Sequence, residues 1–484
     1  MKNQQLFFLL VILCFVSPSI SVAKTYQITP SDIVNIASFL NRLAPGDSLV
    51  FMPGKYVDPV NIKELNGVVN NPIFIHANSN INQPIIIDNQ VKPGEGKAKY
   101  GFYLEKCSWI NISGFNFENC WNENILLENS NYISIIKCQF KKGKRAVFAI
   151  EKDSHHILIE KCSWEQDERV WTHAEDYSWE EVHHGVHSHY NGSMYQGWNM
   201  SGMVVIRDNT IKNVFNGLRI SMIGDGTDTT SSSNIDIYRN TLINTADNAF
   251  EPEVWSANVF FYHNKLIDGH AFISLTEVGG GPIYMYGNVG YSQPNCDDGW
   301  TIYKLSCETR TFKKPVYIFN NSWWVDYPAF SADAMDRTSK YIKHFNNAYH
   351  FYPDSLFIAE RFGSQNEFNY DCSNTPFPKE MQDAGFEKNG IVAEPDFIQK
   401  EIGDFRLNNN SPCINAGIYD DKLITSYLGK APDIGAYEGN ELIKGISFSF
   451  ASFPYLKASN ELPRITRFYK AKNTIDIYFS LPMD

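Results

Sequence analysis

The 484-residue chain has no basic tract, and its 42 Lys and Arg are outnumbered by 54 Asp and Glu, for a net charge of −12. A nucleic-acid partner is therefore not expected, because a phosphate backbone demands a basic face. Cysteine is sparse, at nine residues, too few for a disulfide scaffold. Beyond the N-terminus no run is apolar for the ~20 residues a membrane span needs. The His-Glu-x-x-His zinc pattern is absent, and the glycines at 279–281 precede no helical pattern, so they do not form a phosphate loop. Aromatics are abundant, with 33 Phe, 26 Tyr and 10 Trp. Hydrophobic residues make up 43% and charged residues 20%, a composition that excludes wholesale disorder.

The N-terminus has the three parts of an export signal: Lys2, a short apolar run over residues 6–16, and the small-residue site Ser21-Val22-Ala23. The expected mature chain is secreted or periplasmic, with cell-surface association left open. It carries no integral membrane segment and is expected to be a monomer. Cys296 and Cys307 bracket a loop-like stretch and could clip it, whereas Cys138 and Cys162 sit at equivalent places in a repeat.

That repeat organises the chain. Ile133-x-Ile135-x-x-Cys138-x-Phe140 recurs as Ile157-x-Ile159-x-x-Cys162-x-Trp164, then as Val204-x-Ile206-x-x-Asn209 and Ile235-x-Ile237-x-x-Asn240. Further copies end on Asn264, Asn288, Asn321 and Asn347, and an earlier one on Phe115. Alternating apolar residues at a spacing of about 24 predict one coil of a parallel β-solenoid, in which neighbouring coils stack to bury their faces. Asn at the recurring corner suits a left-handed bend, and its amide can bond the next copy along the stack. The step from Cys162 to Asn209 holds either an unmarked coil or a long loop over 165–201.

These features resemble the right-handed parallel β-helix proteins of the pectate-lyase-like superfamily. Gly46-Asp47-Ser48-Leu49-Val50-Phe51 and Asn71-Pro72-Ile73-Phe74-Ile75 resemble their first coils. Ser411-Pro412-Cys413-Ile414-Asn415-Ala416-Gly417 and Asp433-Ile434-Gly435-Ala436-Tyr437-Glu438 resemble the phrase that often closes the helix. The resemblance implies an all-β domain over 24–440, after a signal over 1–23. The remainder, 441–484, resembles the first strands of an immunoglobulin-like domain. It also implies a carbohydrate-active enzyme that cleaves a polysaccharide, neutral or anionic, as a glycoside hydrolase or by elimination as a lyase. The alternative is a non-catalytic surface or carbohydrate-binding protein.

Three consecutive bends read Phe215-Asn216-Gly217-Leu218, Asp247-Asn248-Ala249-Phe250 and Gly269-His270-Ala271-Phe272. They resemble the catalytic bends of polygalacturonases, which places Asp247 on that family's general acid and His270 on its active-site histidine. Asn216 and Asn248 fall where that family has aspartates, and an amide cannot act as a base. Glu251 and Glu253 are the nearby replacements, both on one face of a strand. Aligning Gly217 with Ala249 sets Arg219 beside Glu251. The expected catalytic set is thus Asp247, Glu251, Glu253 and His270, with Arg219 and Glu277 contacting substrate. An Arg219–Glu251 ion pair that merely joins coils is the plainer reading, and clustered acids could hold calcium. No other cofactor is expected. The 165–201 segment is dense in His, acid and aromatic residues. His187, His189, Tyr190 and Trp198 are its candidate substrate contacts, and His183 with His187 has the spacing of a metal pair.

Overall fold

The computed structural model describes residues 23–78, 85–95, 100–167, 177–222, 233–253, 256–276, 278, 280–292, 300–305, 314–331, 341–352, 366–447, 464–471 and 474–480. Each repeat is one turn of a parallel β-helix. Strand Asn131–Ile136 sends Ile133 and Ile135 inward, where both are fully buried, because successive strand side chains point to opposite faces. The chain bends into Gln139–Lys141, bends again into Arg145–Ile150, and starts the next coil with His155–Glu160. Register is kept from coil to coil: Ile133 faces Ile157 and Ile135 faces Ile159. First strands form a 13-stranded sheet, and the other strands of the coils form a 21-stranded one. In two later coils the second and third strands merge, as Thr241–Glu251 and Lys265–Ser274.

The Asn column is a hydrogen-bonded ladder. Asn240 Oδ1 accepts both the backbone N–H and the side-chain amide of Asn209, at 3.1 and 2.9 Å. Asn264, Asn288, Asn321 and Asn347 repeat the arrangement. Asp371 ends it, accepting from Asn347 at 2.7 and 3.0 Å. The left-handed residue is not the ladder Asn, as expected, but the one before it. That position holds Lys137, Lys161, Asp208, Arg239, His263, Gly287, Asn320, Asn346 and Tyr370. Asn is selected for its carboxamide, which satisfies buried backbone groups that would otherwise be orphaned. In the same column Cys138 and Cys162 are free buried thiols, with the Cys138 N–H directed at the Cys162 sulfur.

Both ends of the solenoid are covered. Pro30–Asn35 and Ile36–Leu40 bury Ile33, Ile36 and Leu40 on the first coil. Phe377, Met381 and Phe386 close the other end. The phrase expected to close the helix instead runs back along its side. Cys413, Ile434 and Ala436 pack on Val289, Trp324, Ala348 and Cys372, while Leu423, Ile424 and Ile443 pack on Phe260, Tyr262, Tyr286 and Phe319. The reason is that these coils carry aromatic residues on their outer face. Tyr238, Tyr262, Tyr286, Phe319 and Phe345 stack at 4.9, 5.0, 5.0 and 5.3 Å, close to the ~4.8 Å strand spacing. Arg464–Ala471 and Thr474–Ser480 pair as an antiparallel hairpin.

The 47-residue step is a loop and not an extra coil, since Ser193–Trp198 pairs directly with Arg145–Ile150 on one side and Asn216–Met222 on the other. Cys296, Cys307, Glu277 and much of the insertion's acidic and aromatic content (residues 168–176) lie outside the described residues. No helix of the described residues is long and apolar enough to cross a membrane.

Candidate active site

Along one outer face the third strands of successive coils line up Phe148, Gln196, Arg219, Glu251, Ser274 and Lys304. Arg219 and Glu251 are adjacent in register, and Arg219 Nε donates to Glu251 Oε2 at 2.7 Å. Glu251 Oε1 accepts from Asn248 at 2.9 Å. Arg219 Nη1 donates at 2.7 Å to Oδ1 of Asn191, at the end of the insertion. Beside this pair Arg145 donates to Glu123 and to Gln196, both at 2.5 Å, and its guanidinium lies over Phe148. Arg219, Glu251, Glu123 and Asp247 are each less than 8% exposed. Charges buried on the outside of a solenoid add nothing to its apolar core and carry a desolvation cost.

Burial raises the pKa of Glu251, against the lowering effect of Arg219, and the Asp247 charge adds to the rise. Burial and the Glu251 charge push Glu253 up to about 8, so it holds a proton at neutral pH. Ser274 donates to it at 2.5 Å. Burial also lowers Lys144, helped by the neighbouring Arg145, to about 8.

The insertion forms a roof over this face. Its helix Trp179–His183 starts with a capping box: Ser178 Oγ accepts from the Glu181 N–H, and Glu181 accepts from the Ser178 N–H. Val182 and Tyr190 anchor it on Val91, Trp121 and Phe215. This leaves Trp179 and His183, one turn apart, stacked at 4.3 Å. His183 lies within electrostatic reach of Asp247, Arg219 and Lys304. Its pKa is lowered by burial first and then by His184, while Asp247 acts to raise it. Lys304 Nζ sits 5.9 Å from the Trp179 ring and 5.7 Å from the Trp300 ring, and Trp300 stacks on His270.

The expected residues therefore divide. Asp247, Arg219 and Glu251 come together, Glu253 lies two residues past the end of the Glu251 strand, and His270 joins through Trp300. His187 packs on Tyr177 at 3.8 Å, and His189 sits against Tyr190 and Gly94. Tyr190 is a core anchor, only 5% exposed. Trp198 is on the outer face two residues beyond Gln196. Asn216 serves the backbone, its Oδ1 accepting the Asn248 N–H at 2.9 Å, whereas the Asn248 side chain donates to Glu251. The acidic set does not suit calcium, because both Glu251 oxygens are engaged and a guanidinium sits among the acids. Among the described residues the set of three donors close enough for a metal is His344, Asp371 and Glu387, at the end of the Asn ladder. Arg145, Lys144, Gln196, Asn191, Trp300 and Lys304 belong to the site without having stood out in the sequence. His183, singled out in the sequence only for its spacing from His187, is placed by the capping box of Ser178 and Glu181.

No family model and no curated protein matches the sequence. Solved structures do. A family PL6 alginate lyase matches with TM-score 0.51 at 11% identity, over 80% of this chain and 55% of that one. The fold is shared. Pectate lyase Pel9A matches at 0.49 and 13%, over 87% and 98%. A GH136 lacto-N-biosidase from Eubacterium ramulus matches at 0.42 and 10%, over 72% and 67%. Identities this low speak for the parallel β-helix alone, because one fold hosts many chemistries.

Proposed function

We propose that the chain is an exported carbohydrate-active enzyme that cleaves an acidic polysaccharide by β-elimination beneath the insertion. The observation that carries this reading is Arg219, buried on the outer face, fixed by Glu251 and Asn191, and roofed by a helix that holds His183 within electrostatic reach of Asp247. Elimination needs a cation against the uronate carboxylate and a base for the proton beside it. Arg219, backed by Arg145, supplies the cation. His183, kept largely neutral by burial and cationic neighbours, is the base, with the Asp247 carboxylate to stabilise its protonated form. As the carbon–proton bond breaks, a carbon–carbon double bond forms and the glycosidic oxygen leaves, taking a proton. Glu253, protonated at neutral pH, is a donor on that side of the groove. Glu251 is a positioning residue for Arg219.

Hydrolysis fits less well. It needs two free carboxyls ~5–10 Å apart across the bond. Glu251 is tied to Arg219 and is not free to act with Asp247. The test is digestion of a panel of acidic and neutral polysaccharides, read by absorbance of unsaturated uronates and by reducing ends together. Elimination raises both signals on an acidic polymer. Reducing ends without absorbance would make the enzyme a hydrolase, and no product on any polymer would favour a binding protein.

A further inference from the structure

A second concave feature lies at the equivalent turn of earlier coils. Asp88, Gln90, Val91, Asn119, Trp121 and Lys142 line an open cleft of about 210 Å³, below the ~300 Å³ of a pocket that encloses a whole ligand. It is built at the turn that in later coils carries Phe215 and Asp247. The coils follow in register from Gln139 to Ser163, Thr210 and Thr241. Lys142 is thus three strand spacings from the Asp247 coil, ~14 Å.

The turn changes character between the two places. Further along, its left-handed residues Asn213 and Asn244 are stitched together: Asn244 donates to Asn213 at 3.0 Å, and Asn213 to Glu165 at 2.8 Å. Gln90, Asn119 and Lys142 are left-handed too. Among the described residues, however, no hydrogen bond or ion pair engages their side chains. Asp88 does not set the sign of the cleft, since Lys55 holds it at 2.6 Å and the Gln90 N–H at 2.8 Å. Lys142 and the neighbouring Lys92 do. Two amides and two ammonium groups beside an apolar wall of Val91, Pro93 and Trp121 match the hydroxyls, carboxylate and apolar ring face of an acidic sugar. Val91 and Trp121 also hold the insertion through Val182 and Tyr190, so the same wall serves the cleft and the roof of the reaction site.

We infer that this cleft is a distal subsite that takes an acidic sugar unit of the polymer being cleaved, a reading that rests on the proposed elimination at Arg219. Its test is cleavage of size-graded oligouronides by the full-length protein and by Lys142→Met, Asn119→Ala and Lys142→Arg. In the wild type kcat/KM should climb once the oligosaccharide is long enough to span from the Asp247 coil to Lys142. Lys142→Met should erase at least tenfold of that climb, through KM, and Lys142→Arg should restore most of it. Equal length dependence in wild type and Lys142→Met, or cleavage that ignores length, would overturn the subsite and leave the elimination standing. If no oligouronide of any length is cleaved, both readings fall. Lys142 is exposed, so loss of folding does not confuse the comparison.

Discussion

The two outer faces of this solenoid solve the same problem in opposite ways. On the 13-stranded sheet the outward column is Tyr238, Tyr262, Tyr286, Phe319 and Phe345, and the returning segment around Leu423 and Ile443 seals it. On the 21-stranded sheet the outward column holds Gln196, Arg219, Glu251 and Lys304, and an insertion roofs it through a small core of its own. The first cover buries apolar surface, which stabilises the fold at roughly 25 cal/mol per Å². The second covers charge, which at best offsets its own desolvation. On the proposed reading the returning segment serves stability and the insertion serves chemistry, so substitutions on the two faces should separate stability from turnover.

The largest expected effect is on turnover. Asp247→Asn keeps shape and removes charge, and should lower kcat at least 100-fold with the melting temperature almost unmoved. Full activity in that variant would dissolve the distinction between the faces. On the other face, Tyr262→Ala should cost about 3–5 kcal/mol of stability in chemical denaturation, while the folded protein keeps the kcat of the proposed reaction. The Asn ladder belongs to neither face and should behave as scaffold. Asn240→Leu is expected to lose about 1–3 kcal/mol, and an unchanged denaturation midpoint would count against the ladder.

The smallest effect sharpens the comparison through pH. Glu253 is raised from its ordinary value to about 8 by burial and Glu251. Between those two values the unfolded chain has released this proton and the folded chain has kept it. Stability from this group is therefore full below the ordinary carboxylate pKa and declines as pH rises toward 8. Glu253→Gln should flatten that slope in melting curves taken between pH 5 and 8. A slope identical to wild type would place Glu253 outside the buried charge network.

The scaffold was legible because it is local and periodic: alternating apolar residues, then Asn or Cys, at nearly constant spacing. The register that sets Arg219 beside Glu251 followed from the same spacing. The site was only half legible, for physical reasons. Gln196 and Asn191 lie at the far end of the insertion, where the count of residues per coil is lost. Tyr190 has the composition of a sugar contact but packs on Trp121 and Phe215, and sequence alone does not say which side of a loop faces its scaffold. Asn216 and Asn248 fall where polygalacturonases have aspartates, yet here Asn216 bonds backbone at the bend and Asn248 donates to Glu251. His183 is held within electrostatic reach of Asp247 by a helix whose start was written in Ser178 and Glu181, but the face it presents depended on where Val182 and Tyr190 found their core.

The central claim is that the roof supplies the base. The most direct measurement is the kcat of His183→Gln, set beside its melting temperature, on the acidic polysaccharide that yields unsaturated product. The account predicts a fall of at least 100-fold with the melting temperature nearly unchanged, since His183 is partly exposed and outside the core. A variant that keeps most of its turnover would contradict it and remove the insertion from the chemistry.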